Sequence, residues 1–175
     1  MDRTTATNFT VLCMFLNLLF WTFVWEPVAM TLHLPTLFQL SLFQVILFIV
    51  PSVLYIFFTK LQPKQVLRLN PITIKNIILI ICIAVTVQPS MAMLSYLSSY
   101  IFQNNISATL YAHSDANIFL LLLSVAIVPA ICEEVFFRGI VFYNLQNLRL
   151  KQACCITGFY FGLMHMDLQQ ISYTF

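Results

Sequence analysis

Two short stretches near the C-terminal end carry the residues whose types and spacing could do chemistry. The first is the run CEEVFFRG, which holds Glu133, Glu134 and Arg138, and the second is the run FGLMH, which ends at His165. Only 8% of the residues are charged and 61% are hydrophobic. A carboxylate at the centre of a membrane helix costs about 2.5–3.5 kcal/mol on insertion scales, so two adjacent glutamates in an apolar run are candidate functional residues.

The first stretch has the spacing of an ion pair beside a free acid. Glu134 and Arg138 are four residues apart, so on a helix they share one face, with the acid in the favourable N-terminal position. Glu133 projects about 100° away and faces a different neighbour. A carboxyl in dry surroundings, beside one that a cation keeps ionised, can act as a general base near neutral pH. We therefore assign Glu133 as the candidate base.

The second stretch places an aromatic ring beside the imidazole. Phe161 and His165 are four residues apart, so the ring is expected to pack on His165 and limit its rotamers. Taken alone, His165 is more often a packed polar residue than a catalyst, and Arg138 alone favours snorkelling to the interface. The glutamate pair alone also fits a proton relay or a transporter counter-ion. Asp167 either orients a ligand or ends the buried stretch.

The composition sets the class of protein that must position these residues. Mean hydropathy is +0.91, and the charged fraction is far below the usual figure of about 25%. We therefore expect an integral membrane protein, an all-α polytopic helix bundle forming a single domain over residues 1–175, with membrane lipid as a partner. The net charge of +2 is too small to indicate binding of nucleic acid.

Apolar runs predict about five transmembrane helices plus the start of a sixth, because a spanning helix needs about 20 mainly apolar residues. The runs cover roughly residues 9–30, 37–58, 72–100, 118–145 and 153–165, and a further run follows from 166. Proline removes a backbone donor and clashes with the preceding turn. Pro51 is expected to kink the second helix and Pro89 to break the third. Pro129 should free the carbonyl of Val125 and open the fourth helix near the glutamates.

The basic residues predict the orientation, because they concentrate on the cytoplasmic side of a membrane protein. With a cytoplasmic N-terminus, all basic residues except Arg138 fall on the inner side: Arg3, Lys60, Lys64, Arg68, Lys75, Arg149 and Lys151. Glu133 then lies about 22 Å from the outer end of its helix at ~1.5 Å per residue. We expect it in the cytoplasmic half, with His165 at a compatible depth.

The two motifs together resemble a known family. Glu133-Glu134-x-x-x-Arg138 followed by Phe161-x-x-x-His165, on adjacent predicted membrane helices, resembles the CPBP family of intramembrane proteases. That family includes the CAAX prenyl endopeptidases of eukaryotes and the bacterial Abi and bacteriocin-immunity proteins. Residues 118–175 carry the family-like motifs, and the upstream helices resemble the family only in type.

The resemblance implies hydrolysis of a peptide bond in a membrane-embedded or lipidated protein or peptide. It implies that Glu133 activates water, that Glu134 and Arg138 fix the geometry, and that His165 polarises or ligates. If the reaction depends on a metal, Glu133 and His165 would be its ligands and a divalent ion such as zinc the cofactor; otherwise no cofactor is expected. The implied location is the bacterial plasma membrane, with the N-terminus in the cytoplasm.

Other functions remain open at this point. A non-catalytic membrane partner with the same fold, such as an immunity or scaffold protein, is the main alternative. A proton-coupled transporter is expected to show an internal repeat, and the sequence has none that we recognise. The serine motif G-x-S-x-G and the zinc motif H-E-x-x-H are both absent from the sequence, which argues against those hydrolase chemistries.

The resemblance also predicts that the site is incomplete. Family members carry a further motif, a histidine followed a few residues later by an asparagine, and the sequence stops at Phe175 before it. We therefore expect a C-terminally truncated fragment whose 175 residues alone have little or no protease activity, since even one missing oxyanion donor costs about 10²–10³ in rate. The assay is cleavage of a prenylated or membrane-embedded peptide by the purified chain. Cleavage that Glu133→Ala abolishes would contradict this expectation.

Overall fold

Six helices make up the part of the chain that the computed structural model describes, which comprises residues 3–102, 111 and 115–165. They are α1 (3–31), α2 (Thr36–Thr59), α3 (Pro63–Val66), α4 (Ile74–Ser99), α5 (Ile118–Asn144) and α6 (Leu150–Met164). The helices α1, α2, α4 and α5 are long and apolar enough to cross a membrane. The chain is therefore an all-helical integral membrane protein, as the sequence predicts.

The predicted fifth span corresponds to a helix too short to count as a membrane span. This helix is α6, which has 15 residues and falls short of the ~20 needed to cross a bilayer. The expected sixth run, from residue 166, lies outside the described residues. Four spans rather than five are thus found among the residues that can be described.

The chain divides into two compact units. The first comprises Met1–Arg68 and His113–Thr157, and the second comprises Leu69–Ala112 and Gly158–Phe175. The first unit holds α1, α2, α3, α5 and the beginning of α6, whereas the second holds α4 and the end of α6. The single domain expected over residues 1–175 stays a prediction.

In the first unit, α2 and α5 pack side by side in the same direction, with α1 antiparallel to both. Residues 36–44 of α2 contact 123–133 of α5, and residues 50–59 contact 134–141. The beginning of α1 contacts the end of α5 at residues 142–144. Successive membrane spans run in opposite directions. Because the span α4 lies between α2 and α5 in sequence, α2 and α5 are expected to run in the same direction, as they do.

An aromatic cluster forms the centre of the first unit. The ring of Phe48 on α2 lies 5.6 Å from the ring of Phe136 and 5.7 Å from that of Phe137 on α5, between centroids. Such aromatic pairs contribute about 0.5–1.5 kcal/mol beyond the burial of their surface. Further along both helices, the Tyr55 hydroxyl donates to Asn144 Oδ1 over 2.7 Å. Together these contacts fix how α2 and α5 are aligned.

Prolines widen three of the helices into π-helical turns. Each wide turn is centred four residues before a proline, namely Pro27, Pro51 or Pro129. Because the proline ring clashes with the carbonyl four residues back and has no N–H to offer it, the helix opens at that carbonyl. The opening predicted at Val125 is confirmed, and α2 is distorted where a kink was predicted. The turns are Trp21–Trp25, Val45–Ile49 and Leu123–Ile127.

The break predicted at Pro89 is wrong, because α4 is one continuous helix through that proline. The Thr86 hydroxyl bonds to the carbonyls of Cys82 and Ile83, both over 2.9 Å. The carbonyl that Pro89 leaves without a helical donor is that of Val85, which these two bonds do not reach. One missing backbone bond is nevertheless tolerated in this helix of 26 residues without a break.

Candidate active site

A fourth π-helical turn, Glu134–Val141, carries two of the predicted site residues and has no proline to cause it. The chain contains no proline after Pro129. Instead, buried side chains come in adjacent pairs at four-residue intervals along the last part of α5 and just past it: Phe136 and Phe137, Ile140 and Val141, then Asn144 and Leu145. A turn wider than that of an α-helix keeps this spacing on one face. Turns of this type are frequent at functional sites.

The segment after α3 packs against the wide turn at Gly139. A Cβ added to Gly139 would lie 2.7 Å from Leu67 Cδ2, 3.8 Å from Leu67 Cα and 3.9 Å from the Val66 carbonyl oxygen. The Arg68 guanidinium lies over the Phe142 ring, 4.7 Å from its centroid, in a cation–π contact. The absence of a side chain at Gly139 thus lets the chain after α3 approach the helix that carries the glutamates.

Glu134 and Arg138 form the predicted ion pair, with Arg138 Nη1 donating to Glu134 Oε1. Both side chains point away from the core of the first unit, with 59% and 65% of their respective surfaces exposed. An exposed pair in water contributes about 0–1 kcal/mol. In a membrane, where isolated charges are costly, pairing is what allows both residues to be there. Glu134 is therefore committed to Arg138.

Glu133 lies on a different face and is uncommitted. Its side chain is half-buried, and it lies one turn before Phe137, which contacts Phe48 of α2. Among the described residues, no hydrogen bond or ion pair holds its carboxylate. The neighbouring Cys132 is buried and free. Of the two acids, Glu133 is the one that the Arg138 ion pair leaves free.

His165 follows α6 directly and is oriented by Phe161. The Phe161 ring lies edge-on to the imidazole at 4.9 Å between centroids, as predicted. Nδ1 of His165 lies 2.9 Å from the Phe161 carbonyl oxygen. Because a carbonyl only accepts, Nδ1 carries the hydrogen of this bond. In the neutral imidazole, Nε2 is then the nitrogen left to accept a proton or a ligand.

The four predicted site residues are distributed over both units. Glu133, Glu134 and Arg138 lie on α5 in the first unit, whereas His165 belongs to the second. A single site made of all four stays a prediction. Asp167, whose role was left open, lies outside the described residues.

A protein metal site needs several donor side chains close together. Across residues 3–102, 111 and 115–165, no three side chains of His, Cys, Asp or Glu converge to hold a metal. The two expected ligands, Glu133 and His165, belong to different units. Binding of a metal ion by Glu133 and His165 stays a prediction.

Comparison with known proteins gives one match. Residues 114–175 match a family model described as Type II CAAX prenyl endopeptidase Rce1-like. The resemblance predicted from the two motifs is therefore confirmed over this part of the chain, which contains all four predicted site residues, and it indicates an intramembrane protease. No curated protein and no solved structure matched.

The packing of Gly139 yields a graded prediction. Gly139→Ala should cost less than about 1 kcal/mol, because the nearest atom, Leu67 Cδ2, is the end of a flexible side chain that can turn away. Gly139→Leu should cost about 1–3 kcal/mol or more, because its longer side chain meets the backbone of Leu67 and Val66 and overpacks the site. Denaturant unfolding in detergent micelles measures both.

Phe159→Leu is the control for this series, because Phe159 is exposed and its replacement should leave stability unchanged. Equal effects of the alanine and leucine substitutions at Gly139 would contradict the close approach of the chain after α3.

Proposed function

We propose that the protein is an intramembrane endopeptidase that hydrolyses peptide bonds of membrane-embedded or lipidated substrates with water activated by Glu133. The observation that carries the proposal is the division between the adjacent acids: Glu134 is paired with Arg138, while Glu133 is half-buried and uncommitted. This arrangement lies within the segment that matches the endopeptidase family.

The chemistry is general-base hydrolysis. Glu133 takes one proton from a water molecule as the water oxygen attacks the scissile carbonyl carbon. The proton then passes from Glu133 to the amide nitrogen as the carbon–nitrogen bond breaks, which leaves a carboxylic acid and an amine. His165 supplies Nε2 to the reacting groups, and its bond to the Phe161 carbonyl holds the ring in place.

The ion pair has a supporting role in this scheme. Because the Arg138 guanidinium holds the Glu134 carboxyl in a hydrogen-bonded ion pair, Glu134 is not free to bind the reacting water. Arg138 and Glu134 thus fix the geometry and the charge around the base.

The location proposed for the site is the cytoplasmic half of the bacterial plasma membrane, with the N-terminus of the chain in the cytoplasm. The concentration of basic residues on one side of the spans supports this orientation. The antiparallel packing of α1 on α2 and α5 agrees with it, because it places the beginning of α1 beside the end of α5.

The test is cleavage of a fluorogenic prenylated peptide by the full-length protein in liposomes. Glu133→Gln should lower kcat at least 10²-fold, the lower range of a general base's contribution. His165→Gln should retain more activity than His165→Asn, because the glutamine amide reaches the position of Nε2 and the asparagine amide only that of Nδ1. The exposed His33 provides the control substitution, His33→Gln.

A rate unchanged by Glu133→Gln would contradict the proposal, as would an order of activity reversed between the two His165 variants. Absence of cleavage by the wild-type protein would favour the non-catalytic membrane partner. Addition of a chelator, followed by zinc, tests metal dependence in the same assay.

A further inference from the structure

Gln44 on α2 lies at the level of Glu133 on α5, as the alignment of the two helices shows. Because α2 and α5 run in the same direction, moving the same number of residues along each helix leads from one pair of facing residues to the next. Phe48 contacts Phe137. One turn back from each of these residues, four positions along each helix, are Gln44 and Glu133.

Contacts on either side of this level support the alignment. Toward the ends of the helices, Tyr55 of α2 bonds to Asn144 of α5. These two residues are separated in sequence by the same number of positions as Phe48 and Phe137. Toward the beginnings of the helices, residues 36–44 of α2 contact residues 128–133 of α5. Gln44 and Glu133 are the last residues of these two contacting segments.

The Gln44 side chain has an unused hydrogen-bond acceptor. Its Oε1 atom is buried and has no hydrogen-bond partner. Leaving a buried polar group unpaired destabilises a protein, and such a group in a native structure calls for an explanation such as an unseen water or a catalytic role. Gln44 thus offers an acceptor at the level where Glu133 has an uncommitted carboxylate.

The other buried unpaired side-chain atoms among the described residues are elsewhere. They are Nε1 of Trp25 and Nδ2 of Asn144. Trp21 packs on Phe43, and since α1 is antiparallel to α2, Trp25 lies one turn beyond that contact, away from Gln44. Asn144 already bonds to Tyr55 through its Oδ1. Gln44 is the one that lies level with Glu133.

We infer that Gln44 is a further catalytic residue, which holds the reacting water together with Glu133. One O–H of the water donates to the Glu133 carboxylate and the other donates to Gln44 Oε1. The water's remaining lone pair is then directed at the scissile carbonyl. Because Gln44 Oε1 is buried in the structure, admission of the water requires a change of the Gln44 rotamer. This inference rests on the proposed function and names the second group that orients its nucleophile.

The test replaces Gln44 by methionine, which keeps the length of the side chain and removes the acceptor. In the peptide-cleavage assay with the full-length protein, Gln44→Met should lower kcat about 10- to 100-fold and leave KM unchanged, because misplacing a reacting group by about 1 Å can cost 10²-fold. Gln44→Asn, which retains an amide oxygen, should recover part of the loss.

Gln39→Met is the matched control. Gln39 lies on the same helix and is half-buried, but its Nε2 already donates to the Leu34 carbonyl over 2.7 Å. Its replacement should leave kcat within twofold. Thermal unfolding of each variant separates lost activity from lost folding. A kcat that Gln44→Met and Gln39→Met lower equally would overturn the inference.

A second readout does not depend on peptidase activity. The infrared carboxyl band of Glu133, identified by its loss in Glu133→Gln, should shift in Gln44→Met and not in Gln39→Met, since the water shared with Gln44 is disturbed. A shift in a protein without peptidase activity supports the link between the residues and refutes the proposed function alone. An unshifted band in a folded Gln44→Met variant overturns the inference.

Discussion

The parallel packing of α2 on α5 through Phe48, Phe136 and Phe137 is the constraint on which the rest of the first unit depends. It decides which face of α5 is buried, and therefore that Glu133 is half-buried while Glu134 and Arg138 are exposed. Without that contact, nothing would make the two adjacent acids differ in burial. The chemical division between them is thus a consequence of how aromatic side chains align two helices.

The shape of α5 follows from two separate causes. At Val125 a proline opens the helix, whereas at Glu134–Val141 the four-residue spacing of buried side chains goes with a wide turn. Between these two turns lies a short regular segment that ends at Glu133. The candidate base is therefore placed at the point where the helix changes its pitch, with Gly139 admitting the chain after α3 one and a half turns later.

Much of this arrangement could be predicted from residue types and local spacing. Hydropathy located α2, α4 and α5 to within a few residues, and four-residue spacing predicted both the Glu134–Arg138 pair and the packing of Phe161 on His165. The wide turn at Glu134 was missed because a regular helical period was assumed, although the paired apolar residues of α5 signal it. Gln44 was also missed, because its relation to Glu133 depends on the alignment of helices distant in sequence, which no local pattern contains.

The alignment of Gln44 with Glu133 can be measured directly by cross-linking. In a background without native cysteines, Gln44→Cys is combined with Glu133→Cys or, as the comparison, with Val141→Cys, two turns further along α5. The full-length protein in liposomes is treated with a short bifunctional thiol reagent. The first pair should link efficiently and the second only a little, because α2 and α5 run in the same direction with Gln44 level with Glu133. Linking of the second pair in preference to the first would contradict this alignment.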